Sequence, residues 1–163
     1  MPITKIYVDM DGVLCDFEKR YASLYGTISE GERRSKFRDN FSNFIDTRQF
    51  ASLDPMEDFN ELVNGLKQID VPKGILSSTA YPETYDKISQ QKTIWLWSQK
   101  IYWQQVFVPG KRHKYAWATP TSVIIDDTYS VIEDWRKAGG IGIHHKSAKT
   151  TLAELNCCLN KFI

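Results

Sequence analysis

The 163-residue chain lacks any apolar run near the roughly 18 residues that a bilayer-spanning helix needs. Its opening residues, Met1-Pro2-Ile3-Thr4-Lys5, lack the charged-then-apolar build of a secretory signal, so a cytoplasmic protein without membrane partners is expected. Cysteine is scarce. Cys15 and the adjacent pair Cys157 and Cys158 make an odd set without CxxC spacing, which argues against a disulfide framework and for reduced thiols. Net charge is nearly absent as well: 21 Lys and Arg against 20 Asp and Glu leave +1, too little for a nucleic-acid polymer to be the expected partner. Repeats and low-complexity tracts are missing, and 42% hydrophobic with 25% charged residues excludes disorder. A chain of this length can bury one core without a disulfide or metal staple, so a single domain over 1–163 is expected.

What the chain has is a series of short apolar runs, each stopped by polar residues. Lys5-Ile6-Tyr7-Val8 ends in Asp9-Met10-Asp11-Gly12, and Gly74-Ile75-Leu76 ends in Ser77-Ser78-Thr79. Val106-Phe107-Val108 is stopped by Pro109-Gly110, Ser122-Val123-Ile124-Ile125 by Asp126-Asp127, and Ile141-Gly142-Ile143 by two histidines. These read as buried strands. Between them lie helical patterns. Asp16 is placed to cap a helix carrying Phe17, Tyr21, Leu24 and Tyr25, and Phe59, Leu62, Val63 and Leu66 repeat at i, i+3, i+4 and i+7. Asp54-Pro55-Met56-Glu57 and Thr151-Leu152-Ala153-Glu154 look like two further helix starts of the capping-box kind. Pro82-Glu83 opens a helix with Tyr85, Ile88, Trp95 and Leu96 near one face, and the last helix shows Leu152, Leu155, Leu159 and Phe162 on one face. Residues 26–53, from Gly26-Thr27-Ile28-Ser29-Glu30-Gly31 through the basic run Arg33 to Arg38, read as an irregular, partly helical insertion. Strands alternating with helices predict an α/β fold with a Rossmann-like parallel sheet flanked by helices.

In such a sheet, functional groups gather beyond the carboxyl ends of the strands. Those ends carry Asp9 and Asp11, then Ser77, Ser78 and Thr79, then Lys111 and Lys114, then Asp126 and Asp127. Four carboxylates cannot share one edge undressed. Oxygen ligands with no His or Cys among them point to Mg²⁺, with Asp9, Asp11, Asp126 and Asp127 as the candidate metal set. A partly neutralised carboxylate beside a lysine and a hydroxyl suits attack on phosphorus. A second carboxylate two residues on can protonate the leaving oxygen and then activate water. Gly12 lets the backbone pass close to a phosphate, whose oxygens would take N–H donors from the turn.

Asp9-Met10-Asp11-Gly12-Val13-Leu14, Ser78, Lys111 or Lys114, and Asp126-Asp127 resemble, in order, the four motifs of the haloacid dehalogenase-like phosphohydrolases. The longer string through Cys15-Asp16-Phe17, with Ile124-Ile125-Asp126-Asp127, is similar to the 5'(3')-deoxyribonucleotidase branch. The resemblance implies Asp9 as nucleophile, Asp11 as general acid and base with its carbonyl on Mg²⁺, and Ser78 and Thr79 as phosphate donors. It further implies Asp127 as a direct metal ligand, Asp126 on the metal or just behind it, and Phe17 at the border of a nucleotide pocket. The implied activity is hydrolysis of a (deoxy)ribonucleoside 5'-monophosphate, with the 3' position open, through an aspartyl-phosphate. A small, mostly helical cap is expected at about residues 18–53. Of the two lysines, Lys114 is favoured because it opens His-Lys-Tyr-Ala, where a helix start would project it inward.

Other assignments are plainer. Cys15 reads as a small buried filler, His144 and His145 as structural, and Arg33 to Arg38 as a solvated face. Trp95, Trp97, Trp117 and Trp135 are expected to pack over the sheet, whereas Phe17, Tyr21, Phe37, Phe41 and Phe44 are divided between core and ligand. Two other functions fit the same motifs: a phosphatase for another small phosphometabolite, and a non-catalytic nucleotide-binding module. A homodimer stays open, since nothing in the sequence fixes the oligomeric state.

Overall fold

The computed structural model describes residues 1–26 and 33–161. The expected Gly26–Gly31 loop from residue 27 onward, and Phe162, lie outside the described residues. Five strands form one sheet: β1 (Lys5–Val8), β2 (Lys73–Ser78), β3 (Gln104–Val108), β4 (Ser122–Asp126) and β5 (Ile141–His144). All pairs are parallel and the order is β3-β2-β1-β4-β5. The α/β class and its parallel sheet are therefore as the sequence predicts.

Strand alternation sorts the side chains into two layers. Ile6, Val8, Ile75, Val123, Ile125 and Ile143 point into the larger core, while Tyr7, Leu76, Val108 and Ile124 face a smaller one. The larger core is closed by α3 (Phe59–Lys67), α4 (Tyr85–Ser98) and α6 (Ala148–Asn160). The smaller one is closed by α5 (Tyr129–Lys137), through Val131, Ile132 and Trp135. Between β1 and α3 the chain forms α1 (Phe17–Tyr25), α2 (Arg33–Asp46) and a short 3₁₀ turn over Gln49–Ser52. The described part of the insertion is thus mostly helical.

Two helix starts differ from expectation. The carboxylate of Asp54 does not cap a helix; it faces Lys19 (2.9 Å) and Arg20 (3.9 Å). Its carbonyl takes the Asp16 N–H, and Met56 N–H donates to the Leu14 carbonyl, so residues 54–56 run alongside 14–16 as a paired strap. Helix α3 begins later, after Asp58, whose side chain makes no cap bond. A missing cap costs about 1 kcal/mol. Burying Phe59, Leu62, Val63 and Leu66 contributes about 2 kcal/mol each. Packing of that stripe, and not the local cap signal, sets the start of the helix. Likewise α6 starts at Ala148 with Ser147 as its cap, bonded to Thr150 N–H, leaving Thr151 inside the helix and buried. Asp16 does cap α1, accepting from Lys19 N–H at 3.1 Å.

Candidate active site

The sheet reverses direction of growth at β1, so β1 and β4 flank its switch point. Val8 pairs with Ile125 in register, which brings Asp9 and Asp126 side by side at the carboxyl edge. Lys114 joins them. Its ammonium is 2.9 Å from Asp9 Oδ1 and 2.7 Å from Asp126 Oδ2, and the residue is 2% exposed. Lys114 sits one turn into a 3₁₀ segment, Lys111–Trp117, rather than at its start. Lys111 opens that segment and is exposed, on the rim of the cavity.

One oxygen each of Asp9, Asp126 and Asp127 can be chosen so that all lie within 4.8 Å of one another. This all-carboxylate set fits a hard divalent cation. Asp126 is fully buried, and its other oxygen accepts the Thr128 N–H at 2.9 Å, so its plane is fixed from both sides. The Asp11 carboxylate stands outside this group and pairs with a residue that the sequence reading did not single out. Lys92, on α4, donates to Asp11 Oδ2 at 2.8 Å. Its signal in the sequence was a lysine four residues after Ile88 and three before Trp95, on a stripe that is apolar but for it and Gln91.

Burial, then Asp126, pushes the Asp9 carboxyl up to about 7, against the pull of Lys114. Burial and Asp126 likewise raise Asp127 to about 6. Burial pulls the Lys114 ammonium down, but Asp9 and Asp126 more than reverse this and hold it above its ordinary value. For Asp9 and Asp127 the folded value exceeds the unfolded one, so their contribution to metal-free stability is full below about pH 4 and is lost as pH rises through about 6 to 7. His145 works the other way, because burial lowers its value. Denaturation of metal-free protein at pH 5 and pH 8, compared with Asp9→Asn, isolates the carboxylate: the advantage of the Asn variant should grow towards pH 8.

Gly12 has φ +81°, and a Cβ there would overlap the Asp127 carboxylate. Gly12→Ala should therefore cost more than the roughly 1–2 kcal/mol of an unfavourable left-handed backbone and should also weaken cation binding, both measurable by thermal melts with and without a divalent cation. The turn spends its N–H groups differently from expectation. Gly12 donates to Cys15, and Val13 and Leu14 donate to Met10, so these three are not free for a phosphate. Ser78 lines the cavity beside Asp9 and Asp11. Thr79 is fully buried and its hydroxyl donates to the Val108 carbonyl at 3.2 Å, which places it behind the wall. Cys15 is buried, with its thiol pushed well up by burial. His145 bonds Thr151 of α6, while His144 donates to the Asp127 carbonyl at 2.9 Å and so braces the Asp126-Asp127 loop.

Two cavities meet along Asp11, Phe17, Ser78 and Lys111, of which Asp11 is the one carboxylate. A polar one of about 340 Å³ holds Asp9, Gly12, Ser78, Lys114 and Asp127. An aromatic one of about 410 Å³ is walled by Phe17, Phe37, Phe41 and Phe50. Phe17 stacks on Phe50, with centroids 5.6 Å apart. Phe44 is fully buried and Tyr21 nearly so, so these two serve the core. Phe50 enters the wall although its sequence position gave no sign of it. Trp95 and Trp135 are buried in the core, and Trp97 and Trp117 lie at the surface.

No family model and no curated protein sequence matches the chain. Solved structures do. A haloacid dehalogenase-like family hydrolase from Xanthomonas campestris superposes with a TM-score of 0.65 at 11% identity, covering 98% of this chain and 93% of that one. A HAD family hydrolase from Deinococcus radiodurans, with bound phosphate and sodium, gives 0.57 at 12% identity, with 98% and 96% covered. A HAD family enzyme from Bacteroides thetaiotaomicron, in complex with magnesium and inorganic phosphate, gives 0.54 at 14% identity, with 89% and 95% covered. At these identities the likeness is one of architecture: the chain has the haloacid dehalogenase-like fold.

Proposed function

We propose that the protein is a Mg²⁺-dependent phosphomonoesterase that hydrolyses (deoxy)ribonucleoside monophosphates. The observation that carries this is the junction of a carboxylate-and-lysine cavity with an aromatic one at a single carboxylate, Asp11. A phosphate fits the first, a base and sugar the second. Two of the structural neighbours hold phosphate in their solved structures, one together with magnesium, which supports the same reading.

Asp9, Asp126 and Asp127 would hold the cation, with the Asp11 carbonyl as a further candidate ligand from the resemblance. When bound, Mg²⁺ supplies positive charge that offsets the carboxylates and the phosphoryl oxygens. Asp9 attacks phosphorus, forming the aspartyl-phosphate as the P–O bond to the leaving group breaks. Asp11 gives its proton to the leaving oxygen and then takes one from the water that opens the acyl-phosphate, which returns Asp9. Lys114 holds Asp9 in place through its ion pair. The Ser78 hydroxyl, which lines the polar cavity, is a donor for phosphoryl oxygens. Residues of about 18–53 act as a small cap, from which Phe37, Phe41 and Phe50, with Phe17 just before it, grip the leaving group.

A panel assay with Mg²⁺ tests this: nucleoside 5'- and 3'-monophosphates against sugar phosphates, each with wild type and Phe17→Ala. Preferred release from nucleotides, weakened by Phe17→Ala, is expected. Preference for a sugar phosphate that ignores Phe17→Ala would replace the nucleotide by another small phosphometabolite.

A further inference from the structure

Lys92 is 1% exposed and belongs to the same stripe of α4 as Ile88, Trp95 and Leu96, where an apolar residue would pack without desolvating a charge. Its ammonium makes three hydrogen bonds: to Asp11 Oδ2 (2.8 Å), to Ser77 Oγ (2.7 Å) and to the Ser78 carbonyl (2.9 Å). An ammonium has three N–H groups, so none is left for a substrate oxygen. Lys92 is thus set apart from Lys111 on the rim. Two of its three partners are neutral; among the described residues the only carboxylate it meets is Asp11.

We propose that Lys92 is a positioning residue that aims the Asp11 carboxylate at the junction between the phosphate cavity and the aromatic cavity. The proposal rests on the reading of Asp11 as acid and base. Asp11 is held at two points: Lys92 takes Oδ2, and the Cys15 thiol lies 3.5 Å from Oδ1 on the other edge of the group. The same turn of α4 also fixes the aromatic wall. Gln91 donates to the Ile45 carbonyl at 2.8 Å and accepts the Phe50 N–H at 3.1 Å, and the Lys92 ammonium stands 5.4 Å from the Phe50 ring centroid. One rigid helix therefore sets the acid and the wall of the leaving-group cavity at a constant separation. A leaving oxygen seated against Phe50 finds the carboxyl already aimed at it.

The test compares wild type, Lys92→Met, Asp11→Asn and the double variant, with Mg²⁺, on two substrates. A nucleoside 5'-monophosphate leaves as an alkoxide and needs the acid; p-nitrophenyl phosphate leaves as a stable phenolate and does not. Lys92→Met should lower kcat/KM, which covers the steps up to departure of the leaving group and not the later attack of water, by about 10²-fold on the nucleotide, within the range of general acid catalysis, with a far smaller loss on the nitrophenyl ester. On the Asp11→Asn background it should add no further loss. Equal losses on both substrates, or additive losses in the double variant, would overturn the proposal. If Lys92→Met does not fold, Lys92→Gln, which can still bond Ser77, carries the same comparison. Failure of both to fold makes Lys92 structural and ends the proposal. Wild type inactive on both substrates strikes the phosphomonoesterase reading itself, a result distinct from any variant outcome.

Discussion

Asp9→Asn should reduce phosphate release by about four orders of magnitude or more, as loss of a nucleophile does, while leaving the fold intact. That factor corresponds to about 5.5 kcal/mol of transition-state stabilisation. Asparagine has nearly the same shape and would keep its place at the end of β1, but its amide cannot form an acyl-phosphate. The electrostatics make the stability outcome specific. Without a cation, burial and the neighbouring Asp126 already disfavour the ionised Asp9. The neutral amide removes that strain, so the variant should melt at or above the wild-type temperature when no metal is present. Activity and stability moving in opposite directions is the signature of a catalytic charge. A parallel loss of both would instead make Asp9 a structural carboxylate.

Lys114→Met should produce the largest loss of stability. The substitution keeps an aliphatic stem but leaves Asp9 and Asp126, 6% and 0% exposed, facing each other without their common partner. Removing one partner of a buried ion pair costs about 3–5 kcal/mol, because an uncompensated charge stays behind. Urea denaturation of metal-free protein at pH 8 should show a loss of this size. Part of it should return at pH 5, where Asp9 can take a proton, and part on adding Mg²⁺. Lys111→Met, at the exposed rim, should leave the denaturation midpoint nearly unchanged. A similar cost at both positions would show that the buried triad is not where the charge is balanced.

The strand ends were legible because a short apolar run stopped by Asp or Ser is a signal that needs no tertiary information. Asp9, Ser78 and Asp126 stand where that pattern put them. Helices α3 and α4 were equally legible from one apolar stripe each. What escaped depends on contacts between distant segments. Asp54 carries every local mark of a helix start, yet its backbone pairs with residue 16, a contact invisible in the local sequence. Lys92 was passed over because a polar residue in a helix is ordinarily solvent-facing; only its place on the apolar stripe marks it. Thr79 was grouped with Ser78 as one hydroxyl run, although the strand period of two already separates neighbours onto opposite faces. Phe50 joins the aromatic wall through a 3₁₀ turn that folds back over α4, which periodicity does not report.

The central claim is that Asp9 carries the phosphoryl group during turnover. Rapid mixing of the protein with Mg²⁺ and its best phosphomonoester, followed by acid quench, borohydride reduction and mass spectrometry of the tryptic peptide Ile6–Lys19, measures this directly. The account predicts conversion of Asp9 to homoserine, dependent on substrate and Mg²⁺, with Asp11 unmodified. Steady turnover with no modification of Asp9 at any quench time would contradict it.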